Sequence, residues 1–171
     1  QILSQNAVLG LTYDVSHLHA CQSNPYRKAI TEDAGFVDER NPHERTRHAA
    51  AVSLRRFVPR TSTTLVGSYR FYGDTWGVFA HTEELRVVQD AGEGVDVAVR
   101  YRFHWQNAAD FYRATYPSND TPYVTDDVKL SRYASHTMGV TFGTAGHVFG
   151  LHGMLEQARA ELTFEYVAQN N

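Results

Sequence analysis

Between Val95 and Gln106, apolar and polar residues alternate without a break. Val95, Val97, Val99, Tyr101, Phe103 and Trp105 fall on one side, and Asp96, Ala98, Arg100, Arg102, His104 and Gln106 on the other. A period of two is the mark of a β-strand with chemically distinct faces. The same alternation predicts strands at residues 7–16, 65–72 and 161–168. Noisier runs at 49–58, 75–89 and 135–144, blurred by Arg55-Arg56 and Glu83-Glu84, bring the expected number to about seven. The connections are uneven. Long polar stretches occupy about 20–46 and 107–131, whereas short turns fall at 59–62, 90–94 and 146–150. The short 73–77 turn shares an end with the long loops if the strands run up and down in order. No 3.6-residue stripe extends beyond a turn or two, and residues 154–161 are read as leading into a strand. The expected fold is therefore all-β, an antiparallel up-and-down meander spanning residues 1–171 as a single domain or the C-terminal portion of one.

Composition narrows the function classes. The 171 residues carry a formal charge of −3, so there is no basic field for nucleic acid. No run approaches the roughly 18 apolar residues of a spanning helix, so a membrane role would use strands or a surface contact. Cys21 is the single cysteine, which excludes an intrachain disulfide framework and a cysteine-based zinc site. The chain opens on Gln1 with no basic leader or apolar core of a signal peptide, as expected of a mature product or an excised segment.

Two architectures suit such strands: a soluble barrel or sandwich with its apolar face inside, or a transmembrane barrel with that face outside. In the first, Arg70, Arg100, Arg102, His104, Glu161 and Glu165 look at water. In the second, the same side chains line a lumen and pair there. Strand length favours the membrane, since a spanning strand needs about 9–11 residues and globular strands usually run about 5–6. Rings near the strand ends, among them Tyr13, Tyr69, Tyr101, Trp105 and Tyr166, suit an interfacial girdle.

Several blocks carry a family resemblance. They are Cys21-Gln22-Ser23-Asn24-Pro25-Tyr26-Arg27, Ser53-Leu54-Arg55-Arg56-Phe57-Val58-Pro59, Ser68 to Trp76, Arg100 to Tyr112 and Asp127-Val128-Lys129-Leu130-Ser131. Together they resemble a bacterial family catalogued only as a domain of unknown function and taken to be an outer-membrane β-barrel. The most specific block is Ala108-Ala109-Asp110-Phe111-Tyr112, and the resemblance runs from about Leu3 to Gln169. It implies a Gram-negative outer-membrane location, with membrane lipid and possible envelope proteins as partners, and no established activity. It also implies members longer than this chain, with further strands and a signal peptide. Seven strands end the chain on the long-loop side, so an even-stranded barrel needs at least one more. The chain also lacks a terminal aromatic. The expectation is therefore part of a larger, porin-like barrel.

Candidate chemistry lies mainly on the polar face. Asp14, Arg70, Asp96, Arg100, Arg102, His104 and Glu165 form the expected lumen set, either a selectivity ladder or a salt-bridge network that stiffens a small lumen. Asn24, Pro25, Tyr26 and Arg27, with Asp110, Phe111 and Tyr112, sit where strands pass into long loops and are expected to latch those loops together. No cofactor is expected. No metal is expected either, because His17, His19, His43 and His48 have no completing ligands, and Asp120, Asp126 and Asp127 lack the spacing of a calcium loop. Ser135 and His136 are adjacent in a strand and point to opposite faces, so they cannot act as nucleophile and base, and an enzyme is not expected. The alternative is a soluble β-protein that binds a small ligand or glycan through Phe111, Tyr112, Tyr116 and Tyr123.

Overall fold

The computed structural model describes residues 2–150, 152–156 and 158–170. Ten strands run in order: β1 (Ile2–Ser4), β2 (Ala7–His19), β3 (Lys28–Thr31), β4 (Gly35–Asp38), β5 (Glu44–Val58), β6 (Thr63–Asp74), β7 (Phe79–Gly92), β8 (Val95–Gln106), β9 (Tyr133–Ala145) and β10 (Arg159–Asn170). Eight of them form one antiparallel sheet in the order β1-β2-β5-β6-β7-β8-β9-β10, and β3 pairs with β4 in a separate hairpin. Strands β2 and β5 to β10 are the seven that alternation predicts. Each is 12 to 15 residues long and most are longer than the alternating core suggests.

The meander is present as an open sheet, with β1 at one edge and β10 at the other. Two sequence expectations are corrected. The fourth long strand begins at Phe79 rather than at residue 75, because Asp74 turns the chain there. Its Oδ1 accepts the N–H groups of Trp76 (2.9 Å) and Val78 (3.1 Å). The connection before β10 extends past residue 150 through two 3-10 turns, Gly146–Phe149 and Gly153–Leu155.

Turn chemistry explains the tight ends. Glu93 and Gly94, both at positive φ, close the β7–β8 hairpin after a register shift at Asp90/Gly92. Gly77 has φ +78°, and a Cβ there would collide with the Asp110 carboxylate, so the β6–β7 turn requires glycine twice over.

The buried apolar residues do not lie across the sheet. Within the strands the buried apolar side chains are small: Ala29, Ala49, Ala80 and Ala98. The larger ones gather in the two long loops and the β6–β7 turn. Trp76, Val78, Ala109 and Leu130 make one cluster, while Tyr116 and Val124 join Ala29 in another. These loops dock as a cap. Thr31 bridges Tyr116, and Arg40 exchanges backbone hydrogen bonds with Val124, both 2.9 Å. The Arg40 guanidinium donates to Asn119 and to the Thr121 carbonyl, and Asp33 accepts from Ser118 and the Asn119 N–H. At the centre, the Tyr116 hydroxyl donates towards the Phe111 and Thr125 carbonyls and accepts from the Thr125 N–H at 3.0 Å. The Thr125 hydroxyl in turn donates to Glu39 at 2.5 Å.

Tyr116→Phe leaves those loop groups without their partner and is expected to cost the cap about 1–3 kcal/mol, read as faster proteolysis within residues 107–132. Asp33 adds a pH dependence. Partial desolvation would raise its pKa, but hydrogen bonds from the Asn119 backbone, Ser118 and Thr31 outweigh this and hold it below the usual carboxylate value. A depressed folded pKa stabilises the docked loops above the unfolded value of about 3.9, and that contribution is lost as pH falls through the folded value. Asp33→Asn is expected to flatten the acid limb of the same proteolysis profile.

Candidate functional site

The register separates two faces along all seven long strands. One carries Leu11, Tyr13, Val52, Leu54, Tyr69, Phe71, Leu85, Val99, Tyr101, Phe142 and Phe164, all of them exposed. On this apolar face the charged residues of the long strands are Glu44, Arg56 and Glu83; the strands' other charged side chains are on the opposite, polar face.

A repeated pair crosses the apolar face. Tyr13 Oη meets His48 Nδ1 at 2.7 Å, Tyr69 Oη meets His81 Nδ1 at 2.6 Å and Tyr101 Oη meets His136 Nδ1 at 2.8 Å. Each joins neighbouring strands, β2 to β5, β6 to β7 and β8 to β9, two residues off direct register. The row is oblique. From Tyr13 the ladder passes through Ala50 to Phe71, two residues beyond Tyr69, and on through His81 to Trp105, four beyond Tyr101. The row thus drops one residue per strand, about 3.3 Å along for about 4.8 Å across, an inclination of about 35°. On β10 Tyr166 lies level with Tyr101, so the slope flattens at the last strand. Towards the long-loop end Phe71 stacks on Phe79, and Trp105 and Phe103 lie tilted against His81 and His136.

The expected lumen set, Asp14, Arg70, Asp96, Arg100, Arg102, His104 and Glu165, falls together on the polar face. Its members have different environments. Arg100 pairs with Glu165 and lies 3.9 Å from Glu84, while Asp96 pairs with Arg159, which also holds Glu161 at 2.7 Å. Two of these pairs, Arg100–Glu165 and Asp96–Arg159, span from β8 to β10 across β9. The strand between them presents glycine at both places: Gly139 lies between Arg100 and Glu165, and a Cβ at Gly143 would strike the Arg159 guanidinium. His104 Nδ1 bonds the Thr82 hydroxyl at 2.8 Å. Among the described residues, Asp14, Arg70 and Arg102 have no side-chain partner.

At the long-loop end Asp74 is the hub. Its carboxylate takes Arg45 Nε (2.9 Å) and Nη2 (2.5 Å) and the Tyr72 hydroxyl (2.6 Å) besides the two turn N–H groups. Arg45 also lies 4.2 Å over the Trp76 ring.

The expected latch is made partly by other residues. Arg27 reaches across to Asp127 at 2.8 Å and to buried Glu39 at 3.2 Å, and Asn24 caps its own turn by accepting the Tyr26 N–H at 3.0 Å. Tyr26 is 93% exposed, and among the described residues neither it nor Pro25 makes a loop-to-loop bond. Asp110 and Phe111 dock instead on the β6–β7 turn, through the Trp76 carbonyl (2.9 Å) and ring, and Tyr112 packs beside that cluster. The expectation missed Glu39, Arg40, Tyr116, Val124, Thr125 and Asp127.

Of the candidate stacking rings, Tyr116 is buried at 1% exposure and cannot meet a ligand. Phe111 and Tyr123 line an open cleft of about 530 Å³ with Trp76, Asp110 and Glu44. His17 and His19 bond Thr46 and Glu44, and no group able to hold a metal ion is found among the described residues.

The whole chain, residues 1–171, matches the family model described as Protein of unknown function (DUF3570). The chain belongs to that family. No curated protein matches it, and no solved structure does. For this DUF3570 chain the geometry is thus the main guide to function.

Asp74→Ala strands Arg45, whose side chain is only 11% exposed, and is expected to destabilise the long-loop end by about 3–5 kcal/mol. Glu161→Gln, at an exposed pair, should cost about 1 kcal/mol or less, both read from thermal unfolding.

Proposed function

We propose that this chain forms part of an outer-membrane β-barrel with a charged lumen, serving as a pore, a scaffold or a surface-assembly component. The observation that carries the proposal is the oblique Tyr–His row on an exposed apolar face. Its inclination of about 35° is the tilt that barrel strands take to the membrane normal, about 35–45°. A row set at that angle to the hydrogen-bond ladder lies level in a bilayer, where tyrosine and histidine rings place an apolar body in lipid and a polar tip in the headgroups. Strands of 12 to 15 residues are long enough to cross while tilted. The three charged exceptions suit this too: Arg56 is two residues from the end of β5, Glu83 sits in the Tyr–His row and Glu44 begins β5. Each is within reach of water by snorkelling. The remaining strand charges then face the lumen, capped at one mouth by the interlocked loops.

A second reading rests on the aromatic cleft. Trp76, Phe111 and Tyr123 beside Asp110 and Glu44 offer ring faces and carboxylates, the usual means of holding a sugar. In that reading the protein is soluble and its apolar face is covered by protein.

The full-length protein is expected to fractionate with the outer membrane and to migrate faster unboiled than boiled on a denaturing gel. A soluble protein with no heat shift would sink the barrel proposal and leave the cleft reading. Within a barrel, Val99→Arg on the apolar face is expected to cost about 2–4 kcal/mol of folding in lipid, and Ala98→Ser on the polar face far less.

A further inference from the structure

Beneath the cap, the polar face forms a recess of about 370 Å³. Arg47 of β5, Arg70 of β6, His104 of β8 and Lys129 of the cap line it, with Arg45 and Asp127 alongside. Its acids are already committed. Asp74 faces Arg47 in register, yet its carboxylate is held by Arg45, and Asp127 is held by Arg27. This leaves Arg47, Arg70 and the Lys129 ammonium without an anionic partner among the described residues.

The shortage extends to single atoms. Arg47 Nε is buried with no hydrogen-bond partner among the described residues, and buried His104 Nε2 has none in hydrogen-bond geometry, the Gln106 side chain lying beside it, although buried polar atoms are almost always paired. The lining is held in place before anything binds. Gln106 Nε2 donates to the Lys129 and Ser131 carbonyls at 2.9 and 2.8 Å, tying the Val128–Leu130 turn to β8, and Asp127 caps that turn through the Lys129 N–H.

We propose that this recess binds a phosphate-type oxyanion, with Arg47, Arg70, Lys129 and His104 as its donors. The donors come from three different strands and from the cap, so they converge from several directions. A tetrahedral anion presents acceptors in all of those directions, whereas a carboxylate presents two in one plane. The volume is ample for a phosphate with several waters, since one water occupies about 30 Å³. The recess lies on the side of the sheet opposite the apolar face, so the ligand arrives through water and not through lipid. The inference deepens the lumen reading by giving it a ligand class, and the recess itself needs only the sheet and its cap.

The test is calorimetric titration of the full-length protein with inorganic phosphate at neutral pH, with chloride at matched ionic strength as control. Saturable binding of phosphate alone is expected. It should weaken at least tenfold in Arg47→Gln and in Arg70→Gln, and severalfold in Lys129→Ala, a change at an exposed cap position that the fold tolerates. Arg55→Gln, also on the polar face but beside Val8 and Val66 at the far end, should leave it unchanged. No saturable binding, equal binding of chloride, or equal affinity in all four variants would overturn the site. The heat-shift gel separates the two proposals. Folded, heat-shifting protein that ignores phosphate loses the site and keeps the barrel, while phosphate binding by protein without a heat shift keeps the site and loses the barrel.

Discussion

An antiparallel sheet with one oily face must have that face covered, and here the described residues do not provide the cover. In a soluble sandwich the large apolar side chains of the strands interdigitate with a second layer. In this chain Leu11, Tyr13, Val99 and Phe164 stand exposed, and the buried apolar side chains of the large sheet are alanines on the other side. The bulky packed residues, Trp76, Tyr116, Val124 and Leu130, belong to the loops. Compact packing and sheet are therefore spatially separate, and the sheet's stability is tied to whatever surrounds it. In the barrel we propose, lipid is the cover, and it would account for the charge distribution too, because it accepts the apolar face while leaving the polar face wet.

The strands were legible from sequence because their two faces differ so sharply. Period two persists through Val95 to Gln106, and any membership of that face could be read from odd and even numbers alone. Legibility failed where the pattern was short or the partner distant. The β3–β4 hairpin has four residues per strand, too few for alternation to stand out from the polar loop around it. Tyr116 looked like a ligand ring because nothing local shows that residues 30 and 125 close over it. Thr125 and Glu39, which bond each other, lie 86 residues apart. Asp74 was the one missed hub with a local signal, since an aspartate opening a Gly-Asp-Thr-Trp-Gly turn is placed to accept the N–H groups two and four residues on.

For the polar-face set, sequence specified the face but not the height or the partner. Asp14, Arg70, Asp96, Arg100, Arg102, His104 and Glu165 share a side, yet whether an arginine meets a carboxylate depends on register between strands. Arg100 meets Glu165 over Gly139, and Asp96 meets Arg159 over Gly143, because each glycine thins the intervening strand, a role that neither announces in a run of Thr, Met, Val and Phe.

Register also divides the polar face electrostatically. Towards β10, acids and bases are matched across the glycines of β9, and the pairs fill space and carry little net field. Towards β5 and β6, the turn at Asp74 has first claim on the local carboxylate because it needs that group to hold Trp76 and Val78 in place. Arg45 completes the hub, and Arg47, one pleat further along the same face, is left over. The excess positive charge under the cap is thus a consequence of how the β6–β7 turn is built. Removing that excess by placing another acid beside Arg47 would put a competitor next to Asp74 for the guanidinium that anchors the turn. The same geometry that locks the cap onto the sheet keeps the recess beneath it cationic.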